Sequence, residues 1–169
     1  FLDVVMSEFI EQSHETPFLH RANKFARRHR ALGLGVLGWH SYLQANNIAF
    51  DSFQAMQKNN ELFRTLQEKT LKASKELAQR FGEPEILKGY GRRNTTLMSI
   101  APTKSSSFIL GSVSPSVEPF KSNFYVKDLA KIKTIYKNPF LEKLLKEKGL
   151  DNEEIWESIL HNDGSVQHL

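Results

Sequence analysis

One stretch constrains this chain more than any other. Phe53, Met56, Phe63, Leu66, Leu77 and Phe81 recur at helical intervals, with no proline or glycine between them. Asp51 or Ser52 is a good N-cap ahead of the stretch, and Gly82 followed by Glu83-Pro84 is a strong stop. The pattern predicts a helix of about 30 residues. A helix of that length packs along a large neighbour, because its apolar stripe has to be covered.

The rest of the chain reads as shorter pieces around it. Leu2, Val5, Met6, Phe9 and Ile10 have helical spacing over residues 1–12, and 13–17 is a break. Helix returns over 18–30, with Leu19, Ala22, Phe25 and Ala26 on one side. Residues 32–39 carry too much glycine for a helix and are expected as a short buried strand or extended turn, feeding a helix over 39–45. Residues 89–94 are a loop. Thr95 to Ile100 is β-rich and uncharged and predicts a buried strand closed by Pro102. Ser105 to Leu110 opens as a helix that ends near Gly111, and 112–119 is loop. Residues 120–136 have room for two strands around Asp128. Asn138-Pro139 opens a short helix stopped by Gly149, Asp151 is expected to cap a last helix, and Asn162-Asp163-Gly164 is a turn. There is no internal repeat or linker, so 1–169 reads as a single segment. Twelve phenylalanines in 169 residues suggest a large buried core.

Several function classes drop out. The chain has no cysteine, which excludes disulfides, zinc–thiolate sites and thiol chemistry by its own residues. No apolar run approaches the roughly 20 residues a membrane helix needs. The start, Phe1-Leu2-Asp3-Val4-Val5, has no initiator Met, basic region or cleavage site; it reads as the middle of an amphipathic helix cut from something longer rather than as a signal peptide. None of the histidine pairs has helical metal-site spacing, and Glu153, Glu154 and Glu157 read as dipole-favouring residues of a helix start. The net charge is +4, which fits a nucleotide, nucleic acid or acidic partner. The one basic cluster, Arg27, Arg28 and Arg30, is open to two readings, a solvated face or an anion contact.

Two motifs bear on chemistry. Gly33-Leu34-Gly35-Val36-Leu37-Gly38 is a literal G-x-G-x-x-G, but the dinucleotide fingerprint needs a hydrophobic strand before it. Phe25-Ala26-Arg27-Arg28-His29-Arg30 cannot be one, so the glycines read as sites of close backbone packing. The second motif is Asn94 to Ser107. Here an apolar strand ends in Pro102, and Thr103, Lys104, Ser105 and Ser106 open a helix. Unpaired amides at a helix start, hydroxyl donors and a lysine together suit a phosphate. An ordinary serine-rich cap would look the same, and on these residues alone both readings stand.

That second motif is also where a family resemblance appears. Asn94-Thr95-Thr96-Leu97, then Ala101-Pro102-Thr103-Lys104-Ser105-Ser106-Ser107, then Ser114-Pro115-Ser116-Val117-Glu118-Pro119, resembles a signature of ribonucleotide reductase large subunits. The Arg28–Trp39 stretch is similar to that family's R-x-x-G-[IL]-G-[VL]-x-[GN] segment. Tyr136-Lys137-Asn138-Pro139 through Gln167-His168-Leu169 resembles class I forms of bacterial or phage type. The likeness runs over essentially the whole chain.

The resemblance implies an α/β, α-rich fold: a segment of the family's ten-stranded α/β barrel, mainly helices with a few short strands, from its C-terminal half. It implies a part in reducing ribonucleoside diphosphates for DNA precursor synthesis, in the cytoplasm, with Thr103, Lys104, Ser105 and Ser106 as the loop holding the substrate diphosphate. Its partners would be the diphosphate substrate, the remaining large-subunit segments and a small radical-generating subunit. ATP and deoxynucleotide effectors would bind elsewhere, and no cofactor would sit in this chain. The family's chemistry needs a thiyl-forming cysteine, its neighbouring Asn and Glu, and a cysteine pair as reductant, so this segment is expected to be inactive alone. Exposed strand edges should make it associate with missing pieces or with itself. The alternative is a small basic helical protein that binds nucleic acid or an acidic partner.

Overall fold

The computed structural model describes residues 1–129 and 132–169. They form two compact units: residues 1–36 with 53–102, and residues 37–52 with 103–169.

The first unit holds α1 (Leu2–Gln12), α2 (His20–His29), α4 (Phe53–Phe81) and a 3-10 turn at Glu85–Leu87; α3 (Trp39–Ala45) belongs to the second unit. The long helix runs as its pattern predicts and stops at Gly82, whose φ of 81° is the left-handed geometry a glycine adopts without penalty. Only Ala55, Ser74 and Ala78 of α4 are buried, while Phe53, Met56 and Phe81 are exposed. The described residues therefore do not supply the large neighbour that its stripe requires.

What fixes this unit is a buried ionic node. Asp3, on α1, accepts from Arg30 Nε (2.9 Å) and Asn94 Nδ2 (2.9 Å) on Oδ1, and from Arg93 Nε (2.9 Å) on Oδ2. Arg30 also donates to the Asp3 carbonyl and the Ser7 hydroxyl. Arg93 Nη1 reaches the Phe81 and Gly82 carbonyls at the end of α4, where a cation suits the helix dipole. Ser74 Oγ accepts from the amides of Arg93 and Asn94 and donates to Asn94 Oδ1. Burial by itself raises the Asp3 pKa, but the hydrogen bonds from Arg30, Arg93 and Asn94 outweigh it and hold the carboxyl below the ordinary aspartate value.

Two expectations change here. The strand predicted over 95–100 is only half-formed and is not buried. Leu34 pairs in parallel with Met98, flanked by Leu32 N–H to Thr96 C=O and Ser99 N–H to Leu34 C=O, and Ile100 is 73% exposed. Its other edge meets no strand among the described residues. The large phenylalanine core is also absent: none of the 12 phenylalanines is fully buried, and Phe1 and Phe18 are almost wholly exposed. The surfaces they would pack on are not among the described residues.

The glycine-rich stretch behaves as the packing reading requires. A methyl on Gly33 would collide with the Ser99 side chain, and one on Gly35 would lie 2.6 Å from the Ser99 carbonyl. What precedes the stretch is helix α2, not a strand.

The second unit holds α3, α5 (Lys104–Ile109), an antiparallel hairpin of β1 (Phe124–Leu129) and β2 (Ile132–Lys137), α6 (Pro139–Glu147) and α7 (Glu153–His161). Asp128 lies within β1, paired in register with Lys133, rather than between the two strands; residues 130–131 lie outside the described ones. The core is Leu141, Leu145, Trp156 and Ile159, with Phe124, Ile155 and Val166 packed on it. Asn138 caps α6 by accepting from Phe140 N–H. The cap of α7 is Asn152 rather than the expected Asp151, because Asp151 is taken by the Trp156 indole N–H at 2.7 Å.

Candidate functional site

The residues singled out for phosphate binding lie at the start of α5. Thr103 occupies the N-cap position in the left-handed region, with φ 46° and ψ 25°. Lys104, Ser105 and Ser106 are exposed. The first intrahelical bond runs from Ser107 N–H to Thr103 C=O at 2.8 Å, so the amides of Lys104, Ser105 and Ser106 have no acceptor within the helix. Thr103 makes no side-chain cap to them. Its hydroxyl accepts instead from Ser116 N–H at 2.7 Å. Ser107 is buried inside the helix, where its hydroxyl donates to the Lys104 carbonyl, so it is not the cap.

A cavity of about 410 Å³ opens beside α5, with Lys104, Phe108, Pro115, Glu118, Lys121 and Tyr125 in its wall. Lys104 alone of the four sequence-predicted residues reaches it. On α3, His40 Nδ1 accepts from the N–H of Phe120, a residue of the loop before β1, at 3.0 Å. Burial lowers the His40 pKa, which favours the neutral ring that an acceptor nitrogen requires. The neighbouring Ser41 and Ser114 exchange hydrogen bonds, Ser41 N–H to Ser114 Oγ at 3.1 Å and Ser114 N–H to Ser41 Oγ at 2.9 Å. Sequence reasoning quoted Ser114 and Ser116 as part of a signature without a role, and did not single out Ser41 at all. A hydroxyl pair 73 residues apart in sequence leaves no periodic trace.

The basic cluster of α2 divides. Arg30, the C-cap residue with φ 45°, turns inward onto Asp3. Arg28 pairs with Glu85 at 3.2 Å, and Arg27 and Lys24 stay beside them around a shallow surface hollow. The expected three-cation surface patch is therefore not formed, because the left-handed turn at Arg30 carries its side chain off the α2 face. Among the described residues no group of histidines and acids could hold a metal ion, and no helix is long and apolar enough to cross a membrane.

Comparison with known proteins places these residues in a lineage. The family model for the ribonucleotide reductase barrel domain matches residues 4–88 and 84–169. The chain is 41% identical, over its full length, to a ribonucleoside-diphosphate reductase large subunit of Invertebrate iridescent virus 3, and covers 27% of that protein. It is 40% identical over 99% of its length to the large subunit of Invertebrate iridescent virus 6, covering 18% of it. Among solved structures it resembles an Actinobacillus ureae class Id ribonucleotide reductase alpha subunit, with 84% identity and a TM-score of 0.89, over 99% of this chain and 30% of that one. The chain thus spans under a third of the length of each of these three relatives.

Proposed function

This chain belongs to the ribonucleotide reductase large-subunit family, within its barrel domain, and from that premise we propose that it is the segment carrying the substrate-diphosphate loop. Thr103, Lys104, Ser105 and Ser106 hold the anionic tail of a ribonucleoside diphosphate. The observation that carries the reading is the start of α5, where three successive amides precede the first intrahelical bond and two exposed serine hydroxyls and a lysine lie on the same turn. Amides and hydroxyls donate to phosphate oxygens without moving, and Lys104 supplies a compact positive charge.

The role of these residues is to bind and orient, not to break bonds. The sequence holds no cysteine, so the sulfur radical and the reducing thiols of deoxyribonucleotide formation come from the rest of the large subunit. On this reading the 169 residues act as one piece of the barrel domain and are inactive alone. The exposed phenylalanines are then the faces that the remaining large-subunit segments cover, or that drive self-association when those segments are missing. A small radical-generating subunit, ATP and deoxynucleotide effectors bound elsewhere, and a cytoplasmic site of action complete the same reading.

The test is a titration of ribonucleoside diphosphate into a full-length alpha subunit carrying this segment. Changing Thr103, Ser105 and Ser106 together to Ala should weaken binding by about tenfold or more, the sum of several hydrogen bonds to a charged group. An unchanged affinity would remove the loop from the site.

A further inference from the structure

Resting on that assignment of the diphosphate loop, we propose that Ser41 and Ser114 are positioning residues: through the Ser116 amide they hold the Thr103 hydroxyl away from its own helix, so that the amides of α5 stay open for the anion. An N-cap threonine ordinarily turns its oxygen onto the second or third amide of its helix and satisfies it. Thr103 does not. Its oxygen is held 2.7 Å from Ser116 N–H. A hydroxyl has one hydrogen and two acceptor positions. Accepting from a fixed amide leaves that hydrogen to be donated outward. The diversion therefore keeps the Ser105 and Ser106 amides unsatisfied and leaves the Thr103 O–H as a further donor beside them.

The diversion has to be held against strain. Thr103 and Ser116 both lie in the left-handed region, with φ of 46° and 49°, and that geometry is disfavoured for a residue with a side chain, most of all a β-branched one. The loop that holds Ser116 is anchored on α3. Ser114 is fully buried and bonded reciprocally to Ser41, and its carbonyl accepts from Gly38 N–H at 2.8 Å. The Ser116 carbonyl lies 3.5 Å from Trp39 N–H. The same short loop thus satisfies the first amides of α3 while it withdraws the cap from α5. One helix start is closed and the other is kept open by a single set of neutral hydrogen bonds.

The experiment uses a full-length alpha subunit carrying this segment, titrated with ribonucleoside diphosphate and assayed for turnover with its small subunit. Ser114→Ala should raise the dissociation constant and KM about fivefold, the worth of one hydrogen bond, with kcat held within about twofold. Ser41→Ala, which removes the other half of the pair, should do the same and serves where Ser114→Ala does not fold. Thr103→Val should weaken binding by a similar factor, and Thr103→Ser should restore it. In the Thr103→Val background Ser114→Ala should add nothing, because both act through one hydroxyl. An equal loss from Ser114→Ala in either background overturns the inference, as does wild-type affinity in both Ser41→Ala and Ser114→Ala. Either result leaves the loop assignment standing if the Thr103, Ser105 and Ser106 changes still weaken binding; if those changes have no effect, it is the loop assignment that falls.

Discussion

In the first unit the chain is held by charge. Arg30 and Arg93 converge on Asp3, and Asn94 and Ser74 complete the node, all of it buried or nearly so. In the second unit the contacts that hold α3 and the loops packed on it are made by neutral groups: Ser41 with Ser114, the Ser116 amide on Thr103, His40 on Phe120 N–H, and Asn138 between Asn123 and Gln44. A carboxylate enters further along, at Asp151 on the Trp156 indole N–H. A buried ion pair gives strong, geometry-specific attraction but only while both partners are present, since either one alone is a desolvated charge. Neutral donors and acceptors give less each, but they leave no field behind. That difference suits an anion site. A carboxylate held roughly 6 Å from a bound phosphate costs about 3 kcal/mol per charge pair at an effective dielectric of 20. It would also compete for the same donors. Among the described residues no carboxylate takes part in the clasp on Thr103, and Glu118 is the one acid in the wall of the neighbouring cavity.

The largest effect should come from breaking the charged side of the contrast. Asp3→Ala leaves two guanidinium groups without their carboxylate and should cost about 3–5 kcal/mol in urea unfolding. A loss under about 1 kcal/mol would mean that the node is ornament and the contrast empty. The pH dependence follows from the lowered Asp3 pKa. The unfolded chain takes up its proton first, so the contribution is complete above the ordinary value of 3.8 and drains away as pH falls through the lower folded value. Asp3→Ala should therefore flatten the acid limb of the stability profile.

The second test places a charge where the structure has none. Asn138 is fully buried, caps α6 and donates to Asn123 Oδ1 at 2.8 Å and Gln44 Oε1 at 3.2 Å. Asp is as good an N-cap as Asn, so capping alone predicts that Asn138→Asp is harmless. The neutral network predicts the reverse. The new carboxylate would face two acceptors, and the Asn123 amide cannot turn to meet it without giving up its bond to the Gly164 carbonyl. We expect Asn138→Asp to cost about 2–3 kcal/mol and Asn138→Ala about 1–2 kcal/mol by the same unfolding assay. The opposite order would show that the second unit tolerates charge as well as the first.

The two units were also unequally legible in the sequence. Helix periods, Gly82 and the Asn138-Pro139 start marked their elements within a residue or two, because those signals are local. The Asp3 node was invisible: its partners lie 27, 90 and 91 positions away, and Arg30 looked like one more member of a basic run until its left-handed backbone turned it inward. The expected buried strand failed for a related reason. Composition says that 95–100 suits a sheet interior, but burial needs neighbours, and among the described residues one short parallel pairing is all it has. At the loop, residue types located Thr103 to Ser106. What they left out was the Ser116 amide, since a backbone donor in a distant loop carries no side-chain signature.

The smallest expected effect probes whether a neutral group must stay neutral. His40 Nδ1 is an acceptor for Phe120 N–H only while the ring is uncharged, and burial favours that form by lowering the pKa. The unfolded chain, with an ordinary histidine near 6.5, binds the proton at higher pH than the folded one. The stabilisation is therefore present in full above that value and declines as pH falls below it toward the depressed folded pKa. Its size is that of one hydrogen bond to a half-buried ring, about 1 kcal/mol. Unfolding free energies of the chain and of His40→Gln, compared between about pH 7.5 and 5, should converge as the pH drops, because glutamine does not titrate. Parallel profiles would mean that the ring accepts its proton without losing its place. The neutrality of the second unit would then be an accident of composition rather than a condition of its fold.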